Sequence, residues 1–283
     1  MRTMHLFAGA GGGLLADLIL GHTPIVAVEN NSYCCAVLRE RAEDGWFPGL
    51  QIVEQDIRTV NFGAWAGRVD CIAAGFPCQD ISCAGKGAGI TGARSGLWTE
   101  VLRATRVIRP SFVFLENSTA IRTRGRREII PAFVEEGYSY QDGKISASDV
   151  GAAHQRERWF CLFVANSHGV RKLEPEGREQ KQRRWISNGA PPVADRLGAG
   201  LEWRSESGVV QEAARSAVEA IERYTGQRDW NPIDAGNCRV DDGLASRMDR
   251  IKAAGNGQVP MQVAAAWLIL TKSARPYVFK GGR

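Results

Sequence analysis

An α/β fold, a mostly parallel sheet with helices on both faces, is what this 283-residue sequence predicts. Three observations carry it. Short apolar, β-rich runs alternate with helical patterns through residues 1–166. Several of those runs are continuously apolar, as strands buried on both sides are. The first run breaks into Phe7-Ala8-Gly9-Ala10-Gly11-Gly12-Gly13 before a helix, the turn by which such sheets bring backbone close to a ligand.

In chain order, Met4–Phe7 reads as the first strand and Gly13–Leu20 as the first helix. Ile25–Glu29 is the second strand, Ser32–Arg41 the second helix and Gln51–Gln55 the third strand. Cys71–Gly75 follows as a fourth strand, then a helix over Leu97–Ile108, a strand over Phe112–Glu116, a helix over Arg127–Glu136 and a strand over Trp159–Ala165. The character changes after Asn166. Residues 167–239 are polar, punctuated by Gly and Pro, and lack a long periodic apolar face. Order returns near Val240, with an apolar helix over Gln258–Leu270. Three regions are predicted: an α/β domain at 1–166, an inserted module at 167–245, and a segment at 246–283 that rejoins the first domain.

The chain is 44% hydrophobic and 24% charged, which excludes a mainly disordered or collagen-like polymer. Lys and Arg number 36 against 31 acids, and the net charge of +5 permits a polyanionic partner without demanding one. Seven cysteines without paired spacing point to a reducing, cytoplasmic compartment rather than a disulfide scaffold. The opening residues imitate a secretory leader, but Asp17 and the glycines from Gly9 to Gly13 interrupt the apolar run. Val263–Leu270 is far shorter than the ~20 residues that cross a bilayer. A soluble protein is expected.

Candidate functional residues cluster at the predicted strand ends. No lysine follows the first glycine turn, so it is not a phosphate-cradling P-loop. Glu29 ends the next strand about 20 residues on, where such folds hold ribose hydroxyls. Asp56 is placed to meet an adenine amino group. The trio fits a nucleoside cofactor without an essential pyrophosphate; a plain glycine turn with two surface acids fits it too.

Cys78, in Gly75-Phe76-Pro77-Cys78-Gln79, lies just past the fourth strand. Cysteines beside buried strands are usually inert, but ligands in open α/β sheets bind outside the carboxyl ends of the strands. An exposed thiol there can act as a nucleophile. Gly85, Gly87, Gly89, Gly92 and Gly96 punctuate the following loop of about 18 residues, a length common in active-site lids. Glu116, at the edge of the same cleft, is a candidate proton donor to a heterocycle. Arg156 and Arg158 share one face of an extended segment, as a base contact with its orienting partner or as a surface ladder. Gly255-Asn256-Gly257-Gln258-Val259-Pro260 opens the last helix, and a helix cap is its plainest reading.

In this order, the Phe-x-Gly-x-Gly turn, the Pro-Cys-Gln, the Glu-Asn, the Arg-x-Arg and the closing Gly-Asn resemble the cytosine carbon-5 DNA methyltransferase family. The resemblance covers essentially the whole chain except the inserted module. It implies a Rossmann-like class I methyltransferase fold, S-adenosylmethionine as methyl donor, double-stranded DNA as partner, no metal, and a monomer. Phe7, Gly9, Gly11, Asn30, Gly75, Pro77 and Leu97 would line the cofactor site, with Glu29 on the ribose, Asp56 and Ile57 on the adenine, and Asn256 closing the pocket. Cys78 would be the nucleophile and Glu116 the group at ring nitrogen 3. Arg156 and Arg158 would serve the base and the carboxylate, with Arg158 on the base oxygen.

DNA contacts would come from Gln79, Ser82 and Lys86, from Arg122, Arg124, Arg126 and Arg127, and from Lys181, Arg183 and Arg184 of the module. Those last three belong to a run from Arg171 to Arg184 with six basic residues and three acids, which also reads as a solvated surface. Three positions depart from the family pattern: Asn30 where an aromatic is common, Ser118 after Glu116-Asn117, and His154 in place of a glutamine. None removes a reacting group. Because the chain opens at the cofactor turn, a prokaryotic or phage enzyme is expected. Two other readings share the fold. One is an RNA cytosine methyltransferase, although the module lacks a Cys-Phe-Thr triplet. The other is a catalytically silent DNA binder, against which the intact Cys78, Glu116 and Arg158 stand.

Overall fold

The structure is a computed structural model and describes residues 1–77, 95–152, 154–166 and 257–278, with side chains through Lys272. Seven strands among these form one sheet in the order β3-β2-β1-β4-β5-β7-β6. They are β1 (Arg2–Leu6), β2 (Thr23–Glu29), β3 (Gln51–Glu54), β4 (Cys71–Ala74), β5 (Phe112–Ser118), β6 (Tyr138–Ile145) and β7 (Arg158–Ala165). The first five pair parallel, and β7 runs antiparallel between β5 and β6. The helices are α1 (Gly12–Leu20), α2 (Ser32–Glu43), α3 (Trp98–Ile108), α4 (Ile121–Arg124), α5 (Arg126–Glu135) and α6 (Pro260–Val278). No helix among the described residues is long and apolar enough to cross a membrane.

The expected mostly parallel α/β architecture is present, with two corrections. The sequence reading passed over β6, whose Ser139, Gln141, Asp142 and Lys144 interrupt any apolar run. This strand lies at the sheet edge and buries mainly Tyr138, Asp142 and Ile145. The last helix begins at Pro260 rather than Gln258 and runs to Val278 rather than Leu270. Proline suits a first helical turn, where its missing N–H has no intrahelical partner to lose.

Both sheet faces are covered. Met4, Leu6, Val26, Val28, Ile72 and Val113 pack with Val101 and Ile108 of α3 and Ile129 and Phe133 of α5. On the opposite face, α6 buries Ala264, Ala265 and Ala266 and sets Trp267 edge-on to Phe112 and Phe114. Strand alternation turns Thr3 and His5 of β1 toward α1. There Thr3 donates to Asp17, His5 Nε2 lies 2.6 Å from Asp17 Oδ2 and His22 Nδ1 lies 3.2 Å from Oδ1. Burial opposes the Asp17 charge, but His5 and the hydrogen bonds from His22, His5 and Thr3 outweigh it and hold the carboxyl well below the usual carboxylate range. Local signals set the helix ends. Asn31 caps α2 by accepting from the Cys34 N–H at 3.0 Å, and α3 stops at Arg109, left-handed at φ 54° and followed by Pro110.

Candidate active site

The strand order reverses between β1 and β4, and open α/β sheets form ligand crevices at the carboxyl ends beside such a point. A cleft of about 440 Å³ opens there, lined by Phe7, Val28, Glu29, Asn30, Gln55, Asp56, Ile57, Arg58, Pro77 and Leu97. The chain leaves β1 through Phe7, whose φ of 59° is uncommon for a bulky side chain and characteristic of functional turns. Gly9 and Gly11 continue the turn at φ 54° and 97°, a region glycine enters without a Cβ penalty.

The turn folds back on the end of β2. The Gly9 N–H donates to Glu29 Oε2 at 2.8 Å, and the N–H groups of Asn30 and Asn31 donate to Oε1 at 3.0 and 2.9 Å. Three backbone amides thus orient this carboxylate at the rim, with acceptor capacity left on Oε2 for a hydroxyl donor. Asp56 begins a short turn over Ile57–Thr59 and accepts from the Arg58 N–H at 3.0 Å and from its guanidinium at 3.2 Å. Arg103 of α3 clamps that turn by donating to the carbonyls of Ile57 at 2.7 Å and Val60 at 3.0 Å, with its guanidinium over the Phe62 ring.

A second wall rises from β5 and β7. Glu116, only 8% exposed, receives Arg158 Nε on Oε1 at 3.0 Å and Gln258 Nε2 on Oε2 at 3.3 Å. Burial pushes the Glu116 carboxyl up, against the opposing pull of Arg158, the Gln258 hydrogen bond and Arg156. This favours a neutral acid able to donate a proton. Next to Glu116, Asn117 donates to the Phe76 carbonyl at 3.0 Å and so ties the segment before Cys78 to β5. Arg156 donates to the Gly257 carbonyl at 2.8 Å. Gln262, buried in α6, donates to the carbonyls of Ile145 and Arg156 at 2.7 and 2.6 Å. The C-terminal segment is thereby fastened to the strand that carries Arg158.

Four cysteines lie among the described residues, and all are buried. Burial pushes the Cys71 and Cys161 thiols well up, and burial with Glu54 and Glu29 nearby takes Cys35 up to about 11. Such thiols are poor nucleophiles.

Of the expected cofactor residues, Phe7, Glu29, Asn30, Asp56, Ile57, Pro77 and Leu97 line the cleft. Gly9 and Gly11 build its turn, and Gly75 sits against Glu116 rather than in the lining. Arg122 and Arg124 lie in α4, just past the end of β5. Arg126, expected beside them as a phosphate contact, instead makes a two-pronged pair with Asp142 at 2.8 and 2.9 Å and lies over the Tyr140 ring. Cys78, Gln79, Ser82, Lys86, Lys181, Arg183, Arg184 and Asn256 lie outside the described residues. The sequence reading missed Arg103, Gln258 and Gln262. Gln258 carried a signal, a polar residue directly after Gly-Asn-Gly and just before an apolar helix.

A family model described as C-5 cytosine-specific DNA methylase matches residues 1–235 of the chain. Type II methyltransferase M.CviJI of Paramecium bursaria Chlorella virus IL3A is 33% identical over 177 residues, covering 62% of this chain and 45% of that protein. Type II methyltransferase M.Eco47II of Escherichia coli is 37% identical over 168 residues, covering 58% of this chain and 39% of that one. The chain spans less than half the length of these two curated relatives. Among solved structures, the S. pombe Dnmt2 methyltransferase matches with a TM-score of 0.57 over 99% of this chain and 100% of that one. At 14% identity that is a likeness of fold.

Proposed function

Because the chain belongs to the C-5 cytosine-specific DNA methylase family, we propose that it transfers a methyl group from S-adenosylmethionine to carbon 5 of a cytosine in double-stranded DNA. The observation that carries this reading is the Glu116 carboxyl, buried, held on both oxygens, and adjoining the strand end that leads through Pro77 to Cys78. The chain acts as a monomer in the cytoplasm.

The cleft suits the cofactor. Glu29 keeps acceptor capacity for ribose hydroxyls, Phe7, Ile57 and Leu97 offer apolar flanks to adenine, and Asp56 offers an acceptor to its amino group. Asn30, Gly9, Gly11, Gly75, Pro77 and Asn256 complete the surround. When bound, the cofactor supplies a methyl group made electrophilic by its sulfonium.

Carbon 5 of cytosine is a weak nucleophile. Addition of the Cys78 thiolate to carbon 6 breaks the aromatic system and makes carbon 5 an enamine carbon. Glu116, as the acid that burial favours, places a proton on ring nitrogen 3 and neutralises the charge that addition would leave there. Arg158 keeps the carboxyl aimed and serves the base oxygen. After methyl transfer, the ring nitrogen 3 proton returns to Glu116, the carbon 5 proton passes to solvent, and expulsion of the Cys78 thiolate restores the ring. A paired cytosine must leave the stack to reach this wall, at a cost of a few kcal/mol. Arg122 and Arg124, with Gln79, Ser82, Lys86 and the basic run containing Lys181, Arg183 and Arg184, supply DNA contacts, many of them to phosphate. The module at 167–245 supplies base recognition.

The experiment is methyl-labelled cofactor offered with unmethylated duplex DNA or with RNA, using the parent and Cys78→Ala. Label is expected at cytosine carbon 5 of the duplex with the parent, and at most a trace with Cys78→Ala while cofactor binding persists. Label in RNA alone, or undiminished label with Cys78→Ala, overturns the reading.

A further inference from the structure

Gln258, in the turn that leads into α6, is surrounded by glycines from two other parts of the chain. A Cβ on Gly12 would clash with its carbonyl oxygen, and one on Gly13 would clash with its Oε1. A Cβ on Gly75 would meet its Nε2 at 3.0 Å. Gly12 and Gly13 open α1 directly after the cleft turn, and Gly75 follows β4. The slot leaves no room for a side chain at Gly12 or Gly13, and the one it holds points its amide at Glu116, with Nε2 3.3 Å from Oε2. The flanking backbone is held as well, by Arg156 on the Gly257 carbonyl and Gln262 on the Ile145 and Arg156 carbonyls.

We propose that Gln258 is the positioning residue of the Glu116 carboxyl, fixing Oε2 while Arg158 fixes Oε1, so that the acid meets the cytosine ring in one orientation. The chemistry favours an amide at this place. Arg158 has only donors, so it can serve a bare carboxyl oxygen and not one that carries the proton. A glutamine amide donates to an ionised Oε2 and, turned over, accepts a hydrogen bond from Oε2 when Oε2 carries the proton. It can therefore follow Glu116 through a proton transfer without leaving either state unpaired. Among the described residues, the charged groups that bear on Glu116 are Arg158 of β7 and Arg156 just before it. The ring of His5 on β1 borders the far end of the slot at Gly13.

The inference rests on the methylation reading for its kinetic arm and not for its titration arm. The full chain carrying carboxyl-labelled glutamate is titrated by NMR, with Glu116 assigned by the signal lost in Glu116→Gln. Gln258→Met keeps an unbranched side chain of similar length without the amide, and Gln258→Glu keeps the shape with a second carboxyl. Glu116 is expected to titrate ~1 pH unit higher in both variants, since each removes a donor to its ionised form. In single-turnover methylation of duplex DNA, Gln258→Met is expected to lose about tenfold or more at every pH. Gln258→Glu is expected to lose as much near pH ~8 and to recover toward pH ~6, as the new acid regains a proton to donate. Cofactor affinity by calorimetry should stay within about twofold of the parent in both.

An unshifted Glu116 titration in both variants overturns the proposal. So does a rate loss that follows a loss of cofactor affinity and ignores pH, because Gln258 would then only pack the turn. If the parent itself fails to methylate DNA, the functional reading falls, and the NMR titration still decides whether Gln258 governs Glu116.

Discussion

Two carboxylates stand at strand ends around one cleft, and the fold holds them in opposite ways. Glu29 is gripped by the backbone, through amides of Gly9, Asn30 and Asn31. Glu116 is gripped by side chains, Arg158 from a neighbouring strand and Gln258 from the approach to the last helix. Backbone amides are fixed donors, suited to a stationary acceptor that orients a ligand. Side chains can exchange partners, and the deeper burial of Glu116 pushes its carboxyl up toward the neutral acid. The contrast matches the proposed division of labour, with binding on one wall and proton work on the other.

The sharpest way to break that division is Glu116→Gln. Replacing a general acid with an amide of the same shape is expected to lower turnover by about 10²–10⁴-fold while leaving cofactor affinity unchanged by calorimetry. The pH dependence has a definite sign. A carboxyl raised above its ordinary value is protonated below that raised pKa and ionises as pH rises through it. Parent turnover that depends on the acid should therefore fall along an alkaline limb set by Glu116, and that limb should vanish in the variant. Equal losses of turnover and cofactor affinity would erase the distinction between the walls.

Glu29→Ala addresses the other wall and carries a smaller effect. Hydrogen bonds to a charged carboxylate are worth ~1.5–3 kcal/mol, so cofactor affinity should fall by roughly tenfold to a hundredfold. Turnover at saturating cofactor should change little. Unchanged affinity would mean that Glu29 merely pins the glycine turn to β2.

The difference between the walls also explains what could be read in the sequence. The Glu29 wall is local: a strand, a glycine turn, a helix and an acid at the next strand end. Each piece is a short-range signal, and the structure places those residues around one cleft. The parallel strands were legible for a similar reason, because double burial makes them apolar throughout. The Glu116 wall is assembled from residues distant in sequence. Its acid and arginines were legible as candidates from their places at a strand end and on an extended segment, but their separate roles came only from a family resemblance. Gln258 fell in a stretch that read as a helix cap and Gln262 inside the predicted last helix, because their partners lie elsewhere. The strand β6 was missed because its half-buried polar residues at the sheet edge break the apolar run that marks a buried strand. Arg126 illustrates the converse. A basic residue among basic neighbours resembled a phosphate contact, and the long-range partner that claims it, Asp142, sits in the strand that was missed.

Gly75→Ala gives the smallest and most discriminating change, because the sequence assigned Gly75 to the cofactor and the structure sets it against the acid. Its added methyl would lie 2.9 Å from Glu116 Oε2 and 3.0 Å from Gln258 Nε2, with no other group closer. Both atoms end flexible side chains and can yield by a few tenths of an ångström, so the fold should tolerate the change with a small shift in Tm. The shift falls on the contact that aims the carboxyl, and misplacing a catalytic group slightly costs rate rather than binding. Single-turnover methylation should slow by roughly threefold to tenfold at unchanged cofactor affinity. Weaker cofactor binding at an unchanged rate would return Gly75 to the Glu29 wall. The boundary between the two walls would then run between Gly75 and Glu116 rather than through the cleft.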